Sequence, residues 1–529
     1  MTAAVLDRPA TRAPGAPAAA ALALARIEAV RLVRHPVVLV ATAVLVGTWI
    51  YSTVSGGDRY PILQDADRGT HLGITFLIGS AGLIAANLAV LREHRHGTEP
   101  ALRVLVLAPW WRTAAHLLAL LPLVLLAAVL VGARIGILAA APYAVGRPNV
   151  FELAAGPAAV LVLGALGVLL GRLIRSVVVA PLAVLAVLVV TFTPAAAVNE
   201  RLARLGRLTL LQFPFSLEAP LPAEVMDRPA GRHLLYLLSL SALIVVLALA
   251  ASRVLGPRLI TCGVVAVGLV VASGAAQFVG PGPEHRAARQ AATEHPATML
   301  VCERRATVTY CAFRDFRRWI GAWDEVVRGV QRRVPPAVAG QPLYLRQRLA
   351  AAQSIDGGVM EAGPPAEMPG WLADDLAAGT PNALSVSTTW GDGSSEVGLA
   401  GRVAFELMTR SGPAAYGPIC RSRGALAIWL VGQATPETAA GLRKVDSTSW
   451  GAIGFSDFSM PGSHLMVPDR DVALGLVMLR RPADEMGARV LAAWDELTAS
   501  ATTLQRAAEL LGLPAPPPEE PDGAEWRCS

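Results

Sequence analysis

The chain carries seven strongly apolar stretches between Val37 and Val279, and they constrain its fold more than anything else in it. Each is near the roughly 20 residues that a helix, rising about 1.5 Å per residue, needs to cross the hydrocarbon of a bilayer. Drawn on the sequence, the candidate spans are Val37–Val54, Leu72–Leu91, Ala114–Val131, Leu153–Leu173, Val177–Val198, Leu234–Ala251 and Leu259–Phe278. The run from Leu153 to Val198 is too long for one helix, and Arg172 and Arg175 divide it. Composition agrees: at 53% hydrophobic residues and a mean hydropathy of +0.48, the 529 residues are too apolar for an ordinary soluble protein.

Beyond Pro281 the composition becomes that of a soluble domain, long enough to bury its own core. The expected organisation is a disordered Pro/Ala-rich tail at 1–20, with no signal-peptide core, and an amphipathic helix at 21–36. A six-span membrane domain follows at 37–255, a seventh transmembrane helix at 256–279, and an α+β domain at 280–529. The fold class expected is therefore an α-helical polytopic membrane protein with an α+β extracytoplasmic domain.

The net charge of +6 rests almost wholly on arginine, since Lys444 is the sole lysine. The arginines flank the spans instead of clustering on one soluble face, so topology accounts for them and nucleic acid is not an expected partner. Arg26, Arg31 and Arg34, then Arg92, Arg95, Arg103 and Arg112, then Arg172 and Arg175, then Arg253 and Arg258 fall on one side. By the positive-inside rule that side is cytoplasmic. With seven spans, everything after Phe278 lies outside, in a protein of the cell membrane. Arg201, Arg204 and Arg207, interleaved with Leu202, Leu205 and Leu208, break the rule on the outer side. They read as a helix lying in the membrane interface, or as a solvated loop helix.

Ahead of the first span, Leu24, Ile27 and Val30 alternate with Arg26, Glu28 and Arg31, and Pro36 limits the helix. Between the second and third spans stands Glu93-His94-Arg95-His96-Gly97-Thr98-Glu99, followed by Pro109, Trp110, Trp111 and Arg112. This chain resembles the membrane subunit of an ABC-2 type exporter over roughly residues 20–255. Arg26, Glu28, Arg31 and Arg34 look like the family's elbow helix, and Glu93 to Glu99 like its coupling helix. Asn199 to Pro222 sits where the family has short re-entrant helices. The resemblance implies a permease: the substrate path of an ATP-driven exporter, paired with a second permease subunit, identical or related, and two copies of a separate ATPase.

A P-loop needs Gly-x4-Gly-Lys-Ser/Thr to cradle phosphates, and Lys444 sits in Leu442-Arg443-Lys444-Val445. The chain itself is thus expected to hold no cofactor, with ATP and Mg in the partner ATPase, and to be no enzyme. Membrane lipid is the other expected partner. Gly164, Gly167 and Gly171 present a small-residue face, suited to packing inside the bundle or to a dimer seam. Charges are nearly missing from the middle of the spans as drawn, so no proton or ion relay is expected.

In the C-terminal half, helices are expected over Arg314–Val334 and Pro482–Leu511, and strands over Leu384–Trp390, Ala425–Val431 and part of His464–Leu479. Gly391 to Ser395 reads as a turn. Cys302 and Cys311 form a possible disulfide, among three connectivities open to the four cysteines there. A zinc site from His285, His295, Cys302 and Cys311 matches no standard ligand spacing, so no metal is expected. The Arg317, Arg318, Arg328, Arg332 and Arg333 group reads as a solvated face, or as a contact to a lipid headgroup or a transporter loop. Two other functions remain open to such a chain: a membrane-anchored extracytoplasmic hydrolase, and a ligand-sensing or immunity protein.

Overall fold

The computed structural model describes residues 16–95, 108–194, 200–211, 220–226, 228–252, 256–349, 368–410, 417–447, 451–455 and 465–514. Among them, six helices are long and apolar enough to cross a membrane: 36–54, 63–92, 109–139, 150–173, 230–250 and 257–276. The membrane unit runs α1 (Ala16–Val33), α2 (Pro36–Val54), α3 (Leu63–Gly73) and, through a π-helical turn at Ile74–Gly79, α4 (Ser80–Arg95). It continues with α5 (Pro109–Leu118), α6 (Leu121–Ala139), α7 (Val150–Leu173), α8 (Val179–Phe192), α9 (Glu200–Leu205), α10 (Ala230–Ala250) and α11 (Pro257–Ala276).

One expected span is shorter than drawn. Val177–Val198 becomes α8, 14 residues long, about 21 Å of helix against roughly 30 Å of hydrocarbon. The helix stops at Phe192, just before Thr193-Pro194, because a proline disfavours helix in the residue that precedes it. Hydropathy alone carries the run past that stop, because Ala195, Ala196, Ala197 and Val198 are apolar too.

α7 is the axis of the bundle. Most of its length is buried, and its glycines explain how neighbours come so close. A Cβ on Gly167 would stand 2.3 Å from the Leu83 carbonyl oxygen of α4, and one on Gly164 would stand 2.8 Å from a Leu120 methyl. Both contacts lie within the bundle, as small-residue packing in membranes requires. By contrast, α2 and α11 leave most of their apolar side chains exposed.

The C-terminal half holds a four-stranded sheet in the order β1 (Leu300–Arg305), β2 (Val308–Phe313), β3 (Leu343–Gln347) and β4 (Leu384–Val386). β1 and β2 form an antiparallel hairpin, whereas β2, β3 and β4 are parallel. Parallel neighbours need crossovers, and helices supply them: α12 (Ile320–Gln331) joins β2 to β3, and α13 (Met368–Ala377) precedes β4. A second sheet orders β5 (Gly417–Pro418), β7 (Leu465–Pro468) and β6 (Ala452–Gly454).

The expected strand at Ala425–Val431 is instead the middle of α15 (Ser422–Ala434), which follows α14 (Ser394–Thr409). Every residue from Ala425 to Val431 is buried, so the run is apolar on all sides and its period is illegible. The expected helix over Pro482–Leu511 is broken into three, at Ala483–Ala492, Trp494–Leu497 and Leu504–Leu511. Inside this domain Arg346 and Arg348, each 1% exposed, meet Asp374 and Asp375, and Arg348 lies 5.5 Å from the Trp371 ring.

Candidate functional site

Two polar assemblies stand out against the apolar bundle, one at each end. The first is built on α1. Its packed stripe is Ala21, Ala25, Glu28, Ala29 and Leu32, while Leu22, Ile27 and Val30 are about half exposed. The apolar side chains Ile27 and Val30 therefore point away from the protein. Small alanines let α1 lie close along the bundle, and the buried Glu28 carboxylate has two partners. Arg31 donates to it at 2.8 Å, and Arg92, at the far end of α4, at 3.2 Å. Arg26 and Arg34 are exposed.

Arg92 leads into the segment expected to contact a partner. The helical backbone of α4 continues through Glu93, His94 and Arg95. The side chains of those three residues, and all of His96, Gly97, Thr98 and Glu99, lie outside the described residues. The chain re-enters at α5, where Pro109 occupies the first turn, a position that costs no hydrogen bond. Trp110 and Trp111 stack there with ring centroids 4.0 Å apart, and Thr113 meets Ser252, just beyond α10, at 2.5 Å. Both flanks of the segment are thus fastened, to α1 on one side and to the end of α10 on the other.

The second assembly is at the opposite end and was not expected. His71 donates Nδ1–H to Glu152 Oε1 at 2.8 Å, with both side chains at most 6% exposed. His233, fully buried, faces Gln277 Oε1 with Nδ1 at 3.0 Å and the Leu210 carbonyl with Nε2 at 3.2 Å. The two imidazoles lie 6.2 Å apart. Asp67, also fully buried, accepts from Arg228 at 3.0 Å and from the Asn149 amide at 3.1 Å. Arg228 reaches Asp65 as well. Four helices, α3, α7, α10 and α11, meet through this cluster. The span ends as drawn fall one residue past each member: Leu72 follows His71, Leu153 follows Glu152, and Leu234 follows His233. All three residues belong to the helices themselves.

The C-terminal domain docks over this same end. Trp319 Nε1 donates to the Tyr143 carbonyl at 3.0 Å and Arg318 to that of Ala144 at 3.3 Å. Asp315 accepts from the Ala223 amide at 2.8 Å, and Arg59 pairs with Glu437 at 2.5 Å. Val145 and Val225 are absorbed into the C-terminal hydrophobic core. Tyr60 packs on Tyr143 and, edge-on, on Trp390. The expected turn at Gly391–Ser395 has its reason here. Gly391 takes φ +91°, and a Cβ there would stand 2.6 Å from the Tyr60 ring. Of the arginine group, Arg318 is a contact to a loop of the membrane unit, while Arg317 and Arg328 stay largely exposed.

Cys302 and Cys311 face each other in register across β1 and β2 and are disulfide-bonded. As a disulfide they are not thiolate ligands, and among the described residues no group of three His, Cys, Asp or Glu side chains could hold a metal ion. Cys420 is disulfide-bonded too, and Cys262 is a free, exposed thiol.

The stretch Arg201–Leu208, expected as an interfacial or a solvated loop helix, is α9 plus a 3-10 turn, with Leu202 and Leu205 exposed and Arg207 donating to the Gln277 carbonyl at 3.2 Å. That bond ties it to the polar cluster. No family model, curated protein or solved structure matches this chain.

Proposed function

We propose that the chain is the permease subunit of an ATP-driven exporter of ABC-2 type, working with a separate ATPase. The observation that carries the proposal is the clamp of Glu28 on Arg92. A partner pushing on the 93–107 segment would act on a stretch held at both flanks, by α1 through Arg92 and by α5 through Thr113 and Ser252. A rigidly held handle is what converts a partner's motion into displacement of packed helices. The sole lysine lies in no phosphate-binding loop, so ATP hydrolysis belongs to the partner chain. In this reading α1 is the elbow helix, and the arginine-rich end bearing Arg26, Arg31, Arg34, Arg92 and Arg112 faces the cytoplasm. The C-terminal domain is then extracytoplasmic and caps the exit, and two such subunits form the path.

Co-purification from the native membrane tests this. The chain should bring down an ATPase, and replacing Glu93, Gly97 and Glu99 together should release it. Glu28→Arg should weaken capture by setting three cations together, and Arg92→Glu in the same chain should restore it. A membrane-inserted chain that purifies with no ATPase, or a Glu28→Arg variant that captures it as well as the unaltered chain, would overturn the reading.

A further inference from the structure

A cavity of about 290 Å³ opens at the docked end of the bundle, between α2, α3 and α6. That is near the lower limit of small-molecule sites. Its apolar wall is made by Trp49, Ile62, Ala66 and Leu138. Two of its charged groups satisfy one another. Asp58 accepts from Ser52, from Thr53 and twice from Arg134, and the Arg134 guanidinium also lies 5.6 Å from the Trp49 ring. This pair adds no net charge to the cavity.

Asp65 is different. Oδ1 accepts from Arg228 at 3.0 Å, but the side chain remains 44% exposed on the cavity wall. Arg228 is shared with the fully buried Asp67. Among the residues that line the cavity, the carboxylates Asp58 and Asp65 stand against the single guanidinium of Arg134. Tyr60 completes the rim, and burial pushes its hydroxyl up to about 12, so it stays neutral at physiological pH.

We propose that this cavity binds an organic ammonium with an apolar body, the cation against Asp65 and the apolar part along Trp49 and Leu138. An aromatic wall beside a partly desolvated carboxylate is the combination that selects such cations over neutral molecules of the same shape. Anions find no uncompensated positive group, and fully polar solutes would leave the apolar wall unused. The cation can come from two sources with the same chemistry: an ethanolamine-type lipid headgroup, or a free hydrophobic ammonium. The proposal stands apart from the exporter reading, because binding needs no ATPase.

The test uses the full chain in nanodiscs of phosphatidylglycerol, titrated with benzyltrimethylammonium and with neopentylbenzene, its neutral isostere. The cation should bind, and the isostere should bind at least roughly tenfold more weakly. Asp65→Asn should remove most of that preference. Gly69→Phe should block the cavity, and an added Cβ at Gly69 meets no atom within 4 Å, so the fold should survive with an unchanged melting temperature. Repeating the titration in phosphatidylethanolamine nanodiscs separates the sources: competition assigns the site to the headgroup, and no competition assigns it to a free cation. Equal binding of the isostere, or unchanged cation binding in both Asp65→Asn and Gly69→Phe, overturns the proposal.

Discussion

Glu152→Ala should destabilise the bundle far more than Glu152→Gln, and the size of the difference follows from the geometry. Glu152 accepts from His71 at 2.8 Å with both side chains nearly inaccessible. Alanine leaves the Nδ1–H of His71 buried without its acceptor, a loss of about 1–3 kcal/mol. It also removes buried methylenes, each worth about 0.8 kcal/mol. Polar pairs in membranes average only ~0.6 kcal/mol, because the unfolded chain in lipid finds other partners. A carboxylate held by a buried ring lies above that average, so a net loss of about 2–4 kcal/mol is expected for alanine. Glutamine keeps the acceptor and the shape, and should lose about 1 kcal/mol. In thermal unfolding of the detergent-solubilised chain this separates the two melting temperatures by several degrees, at roughly 2–4 °C per kcal/mol. His71→Ala/Glu152→Ala should recover part of the loss, since neither group is then orphaned. Alanine and glutamine variants that melt together would refute the reasoning.

Other outcomes follow from single contacts. Gly167→Ala drives a methyl into the Leu83 backbone and should cost about 1–3 kcal/mol, whereas Gly132→Ala, with no atom within 4 Å, should be neutral or slightly stabilising. Paired melting curves decide this. Reducing Cys302–Cys311, which closes a short loop with a sequence separation of 9, should lower C-terminal domain stability by roughly 2–3 kcal/mol, read by denaturant unfolding with and without reductant. The hydrogen bond from Arg59 holds the Glu437 carboxyl below the ordinary range. A depressed carboxylate stabilises above its unfolded value and loses that contribution as pH falls through the folded one. Crosslinking between cysteines placed beside Arg59 and Glu437 should therefore weaken below about pH 4.5, and Arg59→Ala should flatten the profile.

How much of this was legible in the sequence depends on where each signal lives. The long helices were legible because a bilayer sets their length and the signal sums over many residues. The buried cluster was not. Hydropathy treats His71, Glu152 and His233 as reasons to end a span, and their partners stand 81 and 44 residues away. A usable hint was present: each sits one residue outside an apolar run that continues unbroken, on helices whose ends had to meet. Arg346, Arg348, Asp374 and Asp375 were missed for a related reason. As isolated charges they resemble a solvated face, and only β3 packing against α13 makes them a buried group. On α1 the alternation of Leu24, Ile27 and Val30 with charged residues made the helix legible, but the packed stripe of Ala21, Ala25 and Ala29 was not, because alanine is weakly apolar and close packing selects it for its size.

In the proposed exporter the two ends of the bundle would do different work. At one end the described flanks of the connection between α4 and α5 are fastened, by Glu28 on Arg92 and by Thr113 on Ser252. At the other, loops from separate helix pairs converge on one domain: Tyr60 and Arg59 from the first, Tyr143 and Ala144 from the second, Ala223 and Val225 from the third. A displacement entering at the first end cannot spread the second freely, because three loops share one cap. It must either tilt the cap as a unit or shear the His71–Glu152 and His233–Gln277 contacts beneath it. Shear breaks buried hydrogen bonds that tilting preserves, so motion of the C-terminal domain as one body is the cheaper response. Crosslinking Arg59 to Glu437 permanently should then leave movement intact, while crosslinking the domain to two loops at once should arrest it.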